Sequence, residues 1–426
     1  MTDKLTRRHS LKLLTAGSLT AGLSSRHSLP AQTPDAKPAR DPWAKTHDRV
    51  FLGGEFWANP MEDWRVSEGG AECLNAGPGR SVHSLTHQIT RNGSFTMAVT
   101  LTRLEASAND GGAGFRFSLR SEIDEHRSNC FVQRGLDAGW QGEKLILGPK
   151  TAPLPGGAAL PKLRLTLAGA PQGGQCALTL TAADAATGAP LATLTHTAPA
   201  QAVLGNVSLA NSYAPGGAGA AKGKKGKAGA VTGGRYRFQD WTFEGDAFTV
   251  TESQRFGPIL WSMYSLSDSR GPEAFVMKMS ALTGPLGARD NHEVELHIQK
   301  GGAWQSLGTA KLDTDAWTAT FRIPNWDEKQ ATPYKLVYQE KHTDGTTTAH
   351  EWTGTIKANP EGRPLRMAAL TCQNDYGFPY APVADNVRKL DPDLVFFSGD
   401  QLYENHGGFG IIRDDAGRAI LNYLRK

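Results

Sequence analysis

From about Arg49 to Gly245, apolar side chains recur at every second position. Phe95, Met97, Val99 and Leu101 alternate with small or hydroxyl residues, as do Phe115, Phe117 and Leu119. Leu163, Leu165 and Leu167 repeat the pattern, and so do Cys176, Leu178 and Leu180. Successive side chains of a strand point to opposite faces, so this period implies antiparallel sheets with one face buried and one wet. Gly, Pro and Asn turns separate the segments, and 48 glycines favour short strands over long helices. The expectation is a β-sandwich. The same pattern continues from about Phe248 to Lys357, with Val294, Leu296 and Ile298, then Trp317, Ala319, Phe321 and Ile323, then Tyr334, Leu336 and Tyr338. That stretch suits a second, smaller sandwich, and Ala358-Asn359-Pro360-Glu361-Gly362 reads as a linker after it.

The first β segment resembles a laminin G or concanavalin-like jelly roll, opening with Trp57 and Trp64 and closing on Arg237-Phe238-Gln239-Asp240-Trp241-Thr242-Phe243-Glu244-Gly245. The second resembles an immunoglobulin-like or fibronectin-like domain. A Gly/Lys-rich run at 215–234 has nothing larger than alanine or valine to bury, so a flexible surface loop is expected there.

The 426 residues carry a formal charge of +4, but residues 1–31 hold five basic groups (Lys4, Arg7, Arg8, Lys12, Arg26) and one acid, Asp3. The remaining chain has 41 of each sign. Net charge therefore calls for neither nucleic acid nor an anionic membrane. Thr6-Arg7-Arg8-His9-Ser10-Leu11-Lys12 followed by a short apolar run to Leu23 resembles a twin-arginine export signal, with Ser10 where an aromatic is usual. The apolar run is too short to span a bilayer comfortably. The mature chain is expected in the periplasm or outside the cell, cut after Ala31 and without a transmembrane segment.

After the linker the pattern changes. Leu365-Arg366-Met367-Ala368-Ala369-Leu370-Thr371 is nearly continuous in apolar residues, Ala384 to Leu390 is helical in character, and Asp391-Pro392-Asp393 stops that helix. Leu394-Val395-Phe396-Phe397 is a second apolar strand. Strand, helix and strand imply a parallel pair, each strand covered on both faces and ending in a polar motif at the carboxyl edge. The first motif is Thr371-Cys372-Gln373-Asn374 and the second is Ser398-Gly399-Asp400-Gln401-Leu402-Tyr403-Glu404. Gly399 lets the backbone turn as the strand ends. Cys372, Asp400 and Tyr403 could then converge as sulfur and oxygen donors to a metal.

These motifs resemble the alkaline phosphatase D family of metallophosphoesterases. The resemblance implies that Cys372 and Tyr403 ligate iron and that Asp400 bridges to further metal, with calcium as the second cofactor. It also implies hydrolysis of phosphate mono- or diesters by metal-activated water. The expected organisation is a multidomain chain: signal at 1–31, jelly-roll-like sandwich at 45–247, immunoglobulin-like sandwich at 248–358, and the first strand–helix–strand of an α/β metallophosphoesterase domain at 363–426. An Asn-His pair and later histidines, which such a two-metal centre uses, do not follow the second motif, and His406 is the only histidine after Cys372. The reading therefore expects an incomplete catalytic domain and an inactive fragment, with no catalytic residue assigned. The alternative is a secreted glycan- or surface-binding sandwich protein with a vestigial catalytic segment. His83 and His87 sit on one strand, where alternation gives them the same face, and they read as surface histidines, as does His292. Cys176 reads as a core thiol, and the wide spacing of Cys73, Cys130, Cys176 and Cys372 fits no disulfide framework.

Overall fold

A computed structural model describes residues 42–106, 111–213, 233–268, 272, 275–372 and 379–400. The segment read as an export signal, almost all of the Gly/Lys run, and Gln373, Asn374, Tyr403 and His406 lie outside the described residues.

The alternating segments form two packed antiparallel sheets. One has eight strands. Its path runs Phe56–Asn59, Arg80–Ile89, Gly205–Asn211, Ala113–Leu119, Leu136–Gln141, Lys144–Leu147, Lys150–Pro153, and Phe248–Val250 pairs beside Arg80–Ile89. The other has seven, in the order Pro190–Pro199, Gln175–Asp184, Lys162–Gln172, Phe95–Glu105, Arg235–Glu244, Gly70–Cys73, Trp64–Ser67. Met97, Val99 and Leu101 of one sheet and Phe115 and Phe117 of the other are fully buried in one shared core. Large rings join the sheets. Phe56 packs 5.7 Å from Trp241, and Trp43 lies 4.8 Å from Phe56. Aromatic pairs at such spacings add roughly 0.5–1.5 kcal/mol each beyond the area they bury.

A second body has seven antiparallel strands, in the order Ile259–Asp268, Phe275–Thr283, Thr318–Pro324, Ala303–Asp313, Glu293–Lys300, Thr332–Lys341, Thr347–Ile356. Ala303–Asp313 pairs along most of its length with Glu293–Lys300, and through Leu312 and Asp313 with Thr318–Pro324. Its core holds Met277, Met279, Leu296, Phe321, Leu336 and Tyr338.

The two bodies share a seam. The Arg49 backbone exchanges hydrogen bonds with Val66 of the first sandwich (Arg49 N–H to Val66 O 3.2 Å, Val66 N–H to Arg49 O 2.7 Å). Its guanidinium enters the second, donating to Glu340 Oε1 at 2.7 Å and to Asp290 Oδ1 at 3.4 Å, while Nε donates to Phe51 O at 2.8 Å. The Arg49 side chain is 2% exposed and that of Asp290 0%. Phe51 itself packs in the second core. Burial alone would raise Glu340, but hydrogen bonds from His350 and Arg49 outweigh it and hold the carboxyl at about 2. Asp290 is instead raised, because burial outweighs the attraction of Arg49.

The last described unit is a parallel pair, Met367–Leu370 beside Leu394–Phe397, joined by the helix Ala381–Leu390. Pro382 opens the helix, where its missing N–H costs nothing. Asp391 ends it in the left-handed conformation, with its N–H donating to the Val387 and Arg388 carbonyls. The expected cover on both faces is not present among the described residues. Met367 is 56% exposed and Phe397 57%.

Arg49→Ala would leave the buried Asp290 without its cation and Glu340 with His350 alone. Breaking such a buried pair costs about 3–5 kcal/mol. The expected outcome is a loss of that size in urea denaturation, together with splitting of a single transition into two as the sandwiches uncouple.

Candidate metal centre

The strand register decides which side chains meet beyond the strand ends. Met367 stands opposite Leu394 and Leu370 opposite Phe397. Ser398 N–H donates to Leu370 O at 2.9 Å, and Cys372 N–H donates to Gly399 O at 3.2 Å. Both chains then turn through left-handed backbone, with φ of 52° at Cys372, 125° at Gly399 and 56° at Asp400. A Cβ on Gly399 would meet nothing within 4 Å, so the backbone angle, not space, calls for glycine. Left-handed φ at a non-glycine residue costs on the order of 1 kcal/mol, and such outliers concentrate at functional sites.

The turns bring Cys372 and Asp400 together. The Cys372 thiol donates to Asp400 Oδ2 at 3.3 Å, and Thr371 Oγ1 lies 3.3 Å from the same sulfur. Cys372 is exposed, whereas Cys73, Cys130 and Cys176 are buried and free. Bonds of about 2.3 Å from sulfur and about 2.1 Å from oxygen to one ion would span 3.3 Å at close to a right angle. The pair therefore fits one edge of a metal site. No third His, Cys, Asp or Glu completes a cluster among the described residues.

The histidines are placed differently from the sequence expectation. Both His83 and His87 lie on Arg80–Ile89, but the run from His83 to Gln88 on that strand faces only the run from Ser208 to Asn206 on Gly205–Asn211. This irregularity breaks the alternation. His87 stacks on Phe243 at 4.3 Å, beside the core. His83 is 1% exposed and holds Ser81 Oγ at 2.9 Å, so it is not a surface residue. Burial, helped by the charge of Arg116, lowers His83 to about 3, and burial lowers His87 to about 4. His292 is half-buried and meets Gly287 O at 2.8 Å.

His83 belongs to a row that sequence reading missed. Register places Trp57, His83, Ser208, Arg116 and Asp137 side by side across five strands. Arg116 donates to both oxygens of Asp137, at 2.6 and 3.1 Å. The segment following Leu119 closes beside this row. Asn129 donates to Asn206 Oδ1 at 3.1 Å, Asn59 to Cys130 O at 2.5 Å, and Asn206 to His126 O at 2.8 Å. The residues of the row sit singly in the chain, and strand pairing gathers them.

Comparison with known proteins adds little. No family model matches the chain, and no curated protein does. Among solved structures, the lectin UEA-II complexed with galactose is 11% identical over 50% of this chain and all of its own, with a TM-score of 0.31. Lectin II from Ulex europaeus is 13% identical over 45% of this chain and 92% of its own, with a TM-score of 0.29.

Neutral burial of His83 has a pH consequence. Its unfolded value is about 6.5, so the stability it contributes is fully present above that pH and is lost as pH falls toward about 3. His87 acts in the same direction. Urea midpoints measured from pH 7 to 4 should fall less steeply in His83→Gln than in the native chain.

Proposed function

We propose that this chain carries the first metal-facing residues, Cys372, Asp400 and Tyr403, of an exported metal-dependent phosphoesterase of the alkaline phosphatase D type. The observation that supports it is the 3.3 Å approach of Cys372 Sγ to Asp400 Oδ2 beyond the carboxyl ends of two parallel strands. In this reading the unit from residue 363 onward belongs to an α/β metallophosphoesterase domain, after a jelly-roll-like and an immunoglobulin-like sandwich. Cys372 and Tyr403 would hold iron, and the two oxygens of Asp400 suit it to bridge toward calcium. When bound, such ions neutralise phosphate oxygens and lower the pKa of water. The residues of the chain would do the holding: left-handed turns aim a thiol and a carboxylate at one point, and the exposure of Cys372 leaves that point open to a phosphate ester. A twin-arginine signal at 1–31 would export the protein folded, so metal could be loaded before secretion.

Three donors make only one side of a two-ion centre. The 426-residue chain is therefore expected to take up ferric iron with a visible sulfur- or phenolate-to-iron absorption, yet to hydrolyse neither p-nitrophenyl phosphate nor its bis ester. Cys372→Ser and Asp400→Asn should each weaken iron uptake at least about tenfold, the range seen when a metal site loses support. Iron uptake indifferent to both substitutions would defeat the reading.

A second reading is favoured by the polar row across the first sandwich. Its half-buried Trp57 and its Arg116–Asp137 pair combine ring and hydrogen-bonding groups of the sort that grip a glycan or surface polymer. Calorimetry of the whole chain with soluble polysaccharides tests it. Binding that disappears in Asp137→Ala while Cys372→Ser leaves it intact would favour this function over the first.

A further inference from the structure

The apolar strands of the parallel pair do not choose their own register. Where one face is buried and the other wet, a slip of one residue exposes the wrong set of side chains, and that penalty fixes the pairing. Leu394-Val395-Phe396-Phe397 has no polar alternation, and all four residues are exposed. A slip there would cost little in burial. It would shift one chain by about 3.3 Å against the other, as much as the whole separation of Cys372 Sγ from Asp400 Oδ2.

The opposite end of the pair carries the missing restraint. Asp393 directly precedes the second strand, and Arg366 directly precedes the first. The Asp393 carboxylate accepts from Nη1 and Nη2 of Arg363 at 2.7 Å each, one on each oxygen, and from the Arg366 backbone N–H at 2.9 Å. Its own N–H donates to Arg366 O at 2.8 Å, and Leu394 N–H donates to the same carbonyl at 3.2 Å. The carboxylate is 4% exposed, in a unit whose apolar side chains are mostly open. Lys357, on the sandwich side of the linker, donates to Asp391 Oδ1 at 2.8 Å and Pro392 O at 3.0 Å, so the turn is also anchored from outside.

We propose that Asp393 is the positioning residue of the Cys372–Asp400 pair, pinning both strand starts so that the two side chains meet at the far end. Its value for metal binding rests on the function proposed above; the register it sets does not, and is tested without metal. In the full chain carrying Asp400→Cys, a glutathione redox buffer should form a disulfide between Cys372 and the introduced thiol, quantified by peptide mapping. Adding Asp393→Ala should slow that cross-link about tenfold, the scale of one lost charge-assisted hydrogen bond. Arg363→Gln, which leaves Asp393 its backbone contacts, should slow it less, and Arg363→Lys should restore part of the rate. Amide exchange over Ala381–Leu390 shows whether the helix survives each change. If Asp393→Ala melts it, the Arg363 pair of variants decides the matter. Cross-linking at the parent rate in Arg363→Gln, or in Asp393→Ala with the helix intact, overturns the proposal. Absence of iron uptake by the native chain, with the cross-link still dependent on Asp393, would instead count against the metal reading alone.

Discussion

Arg49 belongs to both sandwiches at once. Its backbone bridges to Val66 in the first, and its guanidinium neutralises Asp290 and Glu340 in the second. Taking these charges out of water is expensive, and the arrangement repays that cost only if every donor finds an acceptor. Here Nε, Nη1 and Nη2 each have one, and Glu340 has a second partner in His350 at 2.7 Å. Two residues on, Phe51 adds an apolar anchor to the same seam. That segment of three residues is reinforced by Lys45, which meets Thr343 and Asp344, and by Asp48, which meets Arg289, while Lys357 ties the third unit to the second.

The sandwiches were legible because a strand with one wet face writes its fold into every second residue. Strand ends and turns followed from Gly, Pro and Asn. The seam was not legible, since Arg49 lies hundreds of positions from Asp290 and Glu340 and the three follow no local pattern. Phe248–Val250, read as the start of the second body, pairs with Arg80–Ile89 of the first sheet. Nothing in three residues of strand character could say which sheet would take them. His83 and His87 failed for a related reason: alternation holds only where the partner strand runs in step, and a bulge is a property of two strands.

At the parallel pair the balance was reversed. Strand, helix and strand followed from apolar runs and from the Asp391-Pro392-Asp393 stop, and Gly399 marked the turn. Cys372 and Asp400, 28 positions apart, meet as the motif spacing implied, because a short crossover leaves parallel strands little choice of neighbour. Tyr403 lies outside the described residues. Asp393 reads in the sequence only as a helix stop. Its second role depends on Arg363 and Arg366 folding back onto it, which composition does not announce.

Leu394-Val395-Phe396-Phe397 has one further meaning. It is an uncharged run whose only strand partner among the described residues is Met367–Leu370, and all four of its side chains are exposed. Edges of that kind recruit other strands, and natural sheets usually guard them with lysine, proline or a bulge. Here the charged guards sit at the entrance, in Arg363, Arg366 and Asp393. Pairing with a further strand, from this chain or from another copy, is therefore the association that this edge favours.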